Sequence, residues 1–177
     1  MKKKLRLLSL FSGIGAPEFA LERAGIPFEL VAWCEIDKYA AKSYCLLHNE
    51  KAEHNLGDIT KVVPSDLPDC DMIFHGSPCQ DFSVAGYGKG GKMGSGTRSS
   101  LMWKTVEIVK AKRPEFVIWE NVPNVLSPKH LPNFVAYLKK MTELGYESNF
   151  DTLTALDFGV SQNRERLFCV SRLKQED

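Results

Sequence analysis

What this 177-residue chain lacks narrows its class before any motif is read. It lacks a net charge of any size: 23 basic and 22 acidic side chains leave +1 with histidine neutral. That balance announces no nucleic-acid partner and excludes none, because a basic face can sit within a neutral total. It lacks a C-x-x-C pair. The five cysteines, Cys34, Cys45, Cys70, Cys79 and Cys169, are odd in number and scattered. A disulfide framework and a zinc ribbon are therefore not indicated, and reduced thiols in a cytoplasmic setting fit better. Cys45 and His48 have helical spacing and His54 follows, but a fourth ligand is missing, so no metal is expected. Any apolar run near the ~20 residues of a membrane helix is missing too, so no membrane partner is expected. Lys2-Lys3-Lys4 ahead of Leu5–Phe11 imitates a secretory leader, yet Arg6 interrupts the apolar run and no small-x-small cleavage site follows. There is no internal repeat.

What is present is an ordinary globular composition, 44% hydrophobic and 25% charged, and a length suited to one domain over residues 1–177. Leu5 to Phe11 reads as a buried strand, broken by Ser12-Gly13-Ile14-Gly15. Pro17 to Ala24 reads as a helix with proline in its first turn. Phe28 to Cys34 is the second strand and Tyr39 to His48 the second helix. Asn55 to Ile59 reads as a short strand or its exit, and Met72 to His75 as a strand stopped by Gly76-Ser77-Pro78. Leu101 to Lys112 is helical and Phe116 to Trp119 the next strand; Leu131 to Leu144 is the last helix. Tyr146 to Leu156 and Leu167 to Leu173 read as two closing strands. Alternating strands and helices predict an α/β fold, a mostly parallel sheet with helices on both faces and an edge hairpin at its C-terminal end. Gly86 to Gly96 holds six of the 13 glycines, and a loop of that length is uncommon unless it is functional.

Ligands of such sheets sit beyond the carboxyl ends of the strands. Four strand exits carry polar or glycine punctuation. Phe11-Ser12-Gly13-Ile14-Gly15 lets the backbone turn tightly ahead of a helix N-terminus, which favours an anion. A dinucleotide fingerprint wants a third glycine where Glu18 stands, so the ligand anion reads as small, like an amino acid's carboxylate. Glu35, with Ile36 beside it, comes about 20 residues later, where an acidic side chain takes ribose hydroxyls. Asp58, between Gly57 and Ile59, can accept from an exocyclic amine. Carboxylate, ribose and aminopurine contacts together describe S-adenosyl-L-methionine better than a nicotinamide dinucleotide. The plainer alternative is that Glu35 and Asp58 cap helices or turns.

Gly76-Ser77-Pro78-Cys79-Gln80 follows a buried strand directly. A cysteine there can act as a nucleophile if its thiolate is favoured; the plainer alternative is a small buried apolar residue. Glu120 closes the strongly apolar Phe116-Val117-Ile118-Trp119, where a carboxyl can keep its proton and donate it; the alternative is a capping or ion-paired glutamate. Gln162-Asn163-Arg164-Glu165-Arg166 lies in the turn before the last strand and can hold a planar ligand, or be a solvated charge run.

Together and in this order, these pieces resemble the cytosine-5 DNA methyltransferase family. Phe11-Ser12-Gly13-Ile14-Gly15 is similar to its first cofactor motif. Glu35 and Asp58 match its ribose and adenine contacts. Pro78-Cys79-Gln80 matches its nucleophile motif, Glu120-Asn121-Val122 its proton-donor motif, and Gln162-x-Arg164-x-Arg166 its base-contacting motif. The resemblance implies a Rossmann-like adenosylmethionine-dependent methyltransferase fold acting on double-stranded DNA, in the setting of DNA methylation and restriction–modification. It implies Cys79, Glu120, Arg164 and Arg166 as catalytic residues. Phe11, Ser12, Gly13, Ile14, Gly15, Glu35, Ile36, Asp58, Ile59 and Pro78 would line the cofactor. Gln80, Ser83, Lys89, Lys92, Arg98 and Asn121 would meet nucleic acid, with Gly86–Gly96 as a lid over a flipped base.

One feature departs from the family's pattern. Its members continue into a target recognition domain and a last motif that completes the cofactor pocket, whereas this chain ends at Asp177. A split enzyme whose second chain supplies the recognition domain, a truncated product, and a minimal non-catalytic adenosylmethionine-binding subunit all answer to that. A tRNA cytosine methyltransferase is the sibling reading, and a dinucleotide-dependent dehydrogenase the distant one.

Overall fold

The computed structural model describes residues 3–77 and 101–175. Six strands form one sheet in the order β2-β1-β3-β4-β6-β5. They are β1 (Leu5–Leu10), β2 (Phe28–Cys34), β3 (Met72–His75), β4 (Phe116–Asn121), β5 (Tyr146–Thr154) and β6 (Glu165–Leu173). The first four run parallel; β6 pairs antiparallel with β4, and β5 antiparallel with β6 at the edge. The mostly parallel α/β sheet and its edge hairpin are as the sequence pattern predicts.

Among the described residues, four helices join the strands: α1 (Ala16–Arg23), α2 (Lys38–His48), α3 (Met102–Lys112) and α4 (Leu131–Glu143). β1 lies between two parallel neighbours and is covered on both faces, which is why it reads as an unbroken apolar run. Leu8 and Leu10 join Ile73, Val117 and Trp119 in a core roofed by Val106 and Val109 of α3 and by Phe134, Tyr137 and Met141 of α4. Leu7 points the other way, to a smaller cluster with Leu21 of α1 and Met72. Over that second face, Trp33 of β2 stacks on Tyr44 of α2 with ring centroids 4.2 Å apart. Among the described residues, no helix is long and apolar enough to cross a membrane.

Element boundaries shift where tertiary pairing outweighs local pattern. Asn55–Ile59 is not a strand: Asn55 makes one isolated bridge to Trp33, and Ile59–Lys61 is a 3-10 turn. β4 runs on through Glu120 and Asn121 because Phe168 and Leu167 of β6 pair with them. β6 begins at Glu165, so Arg166 belongs to the strand and not to the turn before it.

The start of the sheet is pinned by charge. Arg6 of β1 donates from Nε and Nη2 to the two carboxylate oxygens of Asp71, at 3.1 and 2.9 Å, and its backbone N–H donates to Asp71 as well. These bonds from Arg6 hold the Asp71 carboxyl down at about 2. A folded value below the ordinary carboxylate range means that the stabilisation is present at neutral pH and is lost as pH falls from about 4 through about 2. Asp71→Asn should lower the unfolding free energy at pH 7 by about 1–2 kcal/mol and flatten the acid limb of the stability curve. Urea titrations of both proteins between pH 7 and pH 2 check this; parallel curves would remove the pair from the pH dependence.

Candidate active site

Strand polarity decides what meets at one edge. β1 to β4 all deliver their carboxyl ends there: Phe11, Glu35, Gly76 and the end of β4 at Glu120 and Asn121. β6 runs the opposite way and so delivers its amino end, Glu165 and Arg166, to the same place. The chain passes from β1 to β2 on one side and then returns to β3 on the other, which makes the exits of β1 and β3 a topological switch point. A cleft of about 440 Å³ opens there, lined among others by Phe11, Ile14, Phe74, Gly76, Glu120 and Arg166.

The glycine turn forms the cleft's first wall. Phe11 has φ 55°, a left-handed conformation that costs a bulky residue strain and turns the chain sharply off β1. Ser12 is buried; its hydroxyl donates to the Ser9 carbonyl at 3.0 Å and accepts from the Cys34 backbone N–H at 3.3 Å. Gly13 donates its N–H to Glu35 Oε2 at 2.8 Å, while Glu35 Oε1 accepts from the Asp37 N–H at 2.8 Å. The Glu35 carboxylate thus bridges the glycine turn to the start of α2, with lone pairs left for a ligand's hydroxyls. Gly15, at φ 82°, caps α1.

The other cofactor candidates separate. Asp58 caps the Ile59–Lys61 turn, accepting from the Thr60 N–H at 3.0 Å and the Thr60 hydroxyl at 2.8 Å, and these bonds lower its carboxyl's pKa. The residue is half-buried at the edge. Ile36 is exposed beside Glu35, whereas Ile59 is buried in the core, where only its backbone can reach a ligand. Glu18 lies 1% exposed beneath α1 and accepts from the Tyr44 hydroxyl at 2.6 Å. It faces α2 and not the cleft, so it gives no electrostatic reason for the ligand anion to be small.

Glu120 and Arg166 form the second wall. Arg166 Nε lies 2.9 Å from Glu120 Oε1, and a Cβ on Gly76 would stand 3.4 Å from Glu120 Oε2. The carboxylate is held on one oxygen while the other lies against a bare backbone. Arg164 lines the same cleft. Asn121 follows strand alternation to the opposite face and is 1% exposed. Its amide nitrogen donates to the Ser77 hydroxyl at 3.2 Å and its amide oxygen accepts from the Val122 N–H at 2.8 Å, so both ends are turned inward and not toward nucleic acid.

Ser77 receives a second donor, Trp119 Nε1, at 3.2 Å. Sequence reasoning gave Ser77 no role, although its place two residues before Cys79 and the polar Asn121 one step beyond Glu120 were its signals. Phe74 and Phe168 were also missed as cleft walls; their alternation with buried His75 and Leu167 marks the face they share. Pro78, Cys79, Gln80, Ser83, Lys89, Lys92, Arg98 and the Gly86–Gly96 loop lie outside the described residues. Of the described cysteines, Cys34, Cys70 and Cys169 are buried, and burial pushes their thiols up to about 12, 11 and 11. Thiols so shifted are poor nucleophiles at neutral pH. Among the described residues, no group of histidine, cysteine or carboxylate side chains is placed to hold a metal.

The sheet order and the cleft at its switch point define a methyltransferase-type α/β unit. The fold superposes on the Dnmt2 methyltransferase of S. pombe with a TM-score of 0.75 at 24% identity, covering 99% of this chain and 51% of that one. It also superposes on the Entamoeba histolytica methyltransferase EhMeth with a TM-score of 0.75 at 20% identity, over 98% of this chain and 54% of that one.

The family is given by the sequence itself. The model for C-5 cytosine-specific DNA methylases matches residues 5–177, and the chain belongs to that family. It is 43% identical to the orphan methyltransferase M.SPRI of Bacillus phage SPR, over 94% of this chain and 37% of that protein. It is 33% identical to the type II methyltransferase M2.ScrFI of Lactococcus lactis subsp. cremoris, over 98% of this chain and 62% of that protein. The chain therefore spans between about a third and two thirds of these relatives' length.

Asn121→Ala strips the Ser77 hydroxyl of a donor and leaves the Val122 N–H without its acceptor in a buried place. It should cost about 1–3 kcal/mol of unfolding free energy. A denaturant midpoint equal to the parent's would show that the amide is not structural.

Proposed function

We propose that this chain carries the catalytic core that transfers a methyl group from S-adenosyl-L-methionine to C5 of cytosine in double-stranded DNA. The observation that carries the reading is the pairing of Glu120 with Arg166, 2.9 Å apart, on the rim of a cleft whose other wall is the glycine turn tied to Glu35. The relatives named above are orphan and type II methyltransferases, and the family description specifies DNA, which favours DNA over tRNA as substrate.

The residues fit the cofactor. Phe11 to Gly15 present a tight backbone turn ahead of α1, which suits an amino-acid carboxylate. Glu35 would accept from ribose hydroxyls, and the exposed Ile36 and half-buried Asp58 would border the place where the adenine would lie. When bound, adenosylmethionine supplies an electrophilic methyl group.

The protein's part is to make C5 nucleophilic. A cytosine stacked in a duplex cannot be reached, so it must be flipped into the cleft. Cys79, as thiolate, adds to C6. Glu120 hydrogen-bonds N3 and passes a proton to it, drawing off the charge that the addition pushes into the ring. Arg166 holds Glu120 in place, and Arg164 and Arg166 supply positive charge beside the base. After transfer, C5 loses its proton to a base, the C6–S bond breaks, the Cys79 thiolate departs and N3 returns its proton to Glu120. Ser83, Lys89, Lys92 and Arg98 would meet the DNA backbone near the flipped base, with Gln80 beside it. Target selection would be supplied by further sequence or by a second chain.

Duplex DNA carrying 5-fluorocytosine tests this reading, because fluorine at C5 blocks the final elimination. With tritiated adenosylmethionine, the chain should form a denaturant-resistant adduct that Cys79→Ala does not form, while Cys79→Ala still binds the cofactor. Glu120→Gln should slow adduct formation by about 100-fold or more. Cofactor binding without adduct would assign catalysis to an assembly with a further segment or chain. Unchanged transfer by Cys79→Ala would remove Cys79 as nucleophile.

A further inference from the structure

The face of α2 that carries Tyr44 and His48, one helical turn apart, lies against the glycine turn and the first turn of α1. His48 Nε2 is 3.0 Å from the Ile14 carbonyl oxygen. A carbonyl only accepts, so Nε2 carries the proton and donates it. The imidazole also packs directly against the next residue: a Cβ on Gly15 would run into the ring. Gly15 thus has two separate reasons to be glycine, its φ of 82° and the histidine beside it.

The ring is itself held on both sides. Its centroid lies 4.5 Å from that of Phe19 and 4.6 Å from that of Tyr44, and Tyr44 stacks on Trp33 at 4.2 Å. Tyr44 in turn donates its hydroxyl to the buried Glu18 at 2.6 Å, which fixes α1 against α2. A chain of aromatic contacts therefore runs from β2 through α2 to the glycine turn and sets the direction of the His48 N–H.

The consequence lies in the Ile14–Gly15 peptide. A peptide bounded by glycine can flip at little steric cost, and that freedom would let the Ile14 carbonyl leave its present direction. Ile14 lines the cleft, so the orientation of its peptide decides whether carbonyl or N–H groups face a ligand there. Two bonds select one orientation: the Gly15 N–H donates to the Ser12 carbonyl at 2.9 Å, and His48 commits the Ile14 carbonyl to α2. Gly13 N–H is committed to Glu35 in the same way, from the other end of α2's entry.

The geometry points to His48 as a positioning residue for the cofactor: it holds the glycine turn in its binding form before the ligand arrives. This rests on the reading that the turn binds adenosylmethionine. The gain is preorganisation, because a turn already ordered loses less freedom on binding.

His48→Phe tests it, since phenylalanine keeps a ring between Phe19 and Tyr44 and has no donor. In the purified full chain, calorimetric titration should give an adenosylmethionine Kd about tenfold weaker than the parent's, the scale of one hydrogen bond. The melting temperature should remain close to the parent's. His48→Gln, which keeps a donor, should recover most of the affinity. Where turnover is measurable, KM for the cofactor should rise while kcat holds. A folded His48→Phe with the parent's Kd would overturn the proposal, and so would equal loss in His48→Phe and His48→Gln. Should His48→Phe fail to fold, His48→Leu takes its place with the same two outcomes. Amide exchange at Gly13 and Gly15 in the ligand-free chain separates the two levels. Faster exchange in the donor-less variant supports the clamp even if the parent binds no adenosylmethionine, a result that would sink the cofactor assignment alone. Unchanged exchange overturns the clamp.

Discussion

The central constraint is β1, a strand hydrogen-bonded in parallel on both sides and buried on both faces. A strand in that position cannot bend toward a ligand or expose a polar group along its length. The only freedom is at its end, and there the chain turns at Phe11 with a left-handed φ of 55°. Everything that follows β1 is arranged around that turn. β2 delivers Glu35 to one side of it, β3 delivers Gly76 to the other, and α1 starts immediately behind it. The cleft exists because two neighbours of one rigid strand diverge at its exit.

The antiparallel β6 completes the site in a way four parallel strands could not. Parallel strands bring only carboxyl ends to the active edge. A strand of opposite direction brings an amino end, and here it brings Arg166 beside Glu120. The pair joins residues 46 positions apart and needs the register in which Glu120 faces Phe168. A slip of one residue would turn Arg166 to the α4 face and break its ion pair with Glu120.

Much of this arrangement is legible in the residues, and the parts that are not share a cause. The glycine turn, Glu35, Glu120 and the arginine pair stand out because glycine, proline and charge interrupt apolar runs at strand exits. The alternating order of elements gives the sheet. What local pattern misreads is decided by partners far along the chain. Arg166 reads as a turn residue until β5, whose Leu153 pairs with it, extends β6. Asn55–Ile59 reads as a short strand or its exit, and of the strand only one bridge forms, from Asn55 to Trp33. Asp58 reads equally as ligand contact or cap, and the cap is what the Thr60 bonds form. His48, weighed beside Cys45 as a metal ligand, is set aside as one, and the spacing gives no hint of its partner, a backbone carbonyl 34 residues earlier. No periodicity signals a contact with a backbone atom, because any residue type supplies one.

Strand alternation also explains why neighbouring residues of one motif have different duties. Glu120 and Asn121 are adjacent in sequence and point to opposite faces of β4. Glu120 turns to the cleft with Arg166; Asn121 turns to the core with Ser77. Because Ser77 lies at the exit of β3 and takes both the Trp119 N–H and the Asn121 amide, the core side of β4 holds the end of β3, while its cleft side carries the acid. A substitution at Asn121 would loosen the hold on Ser77 without changing a side chain of the cleft. Loss of activity at that position is thus evidence of geometry, and only a residue on the Glu120 face can be tested for chemistry.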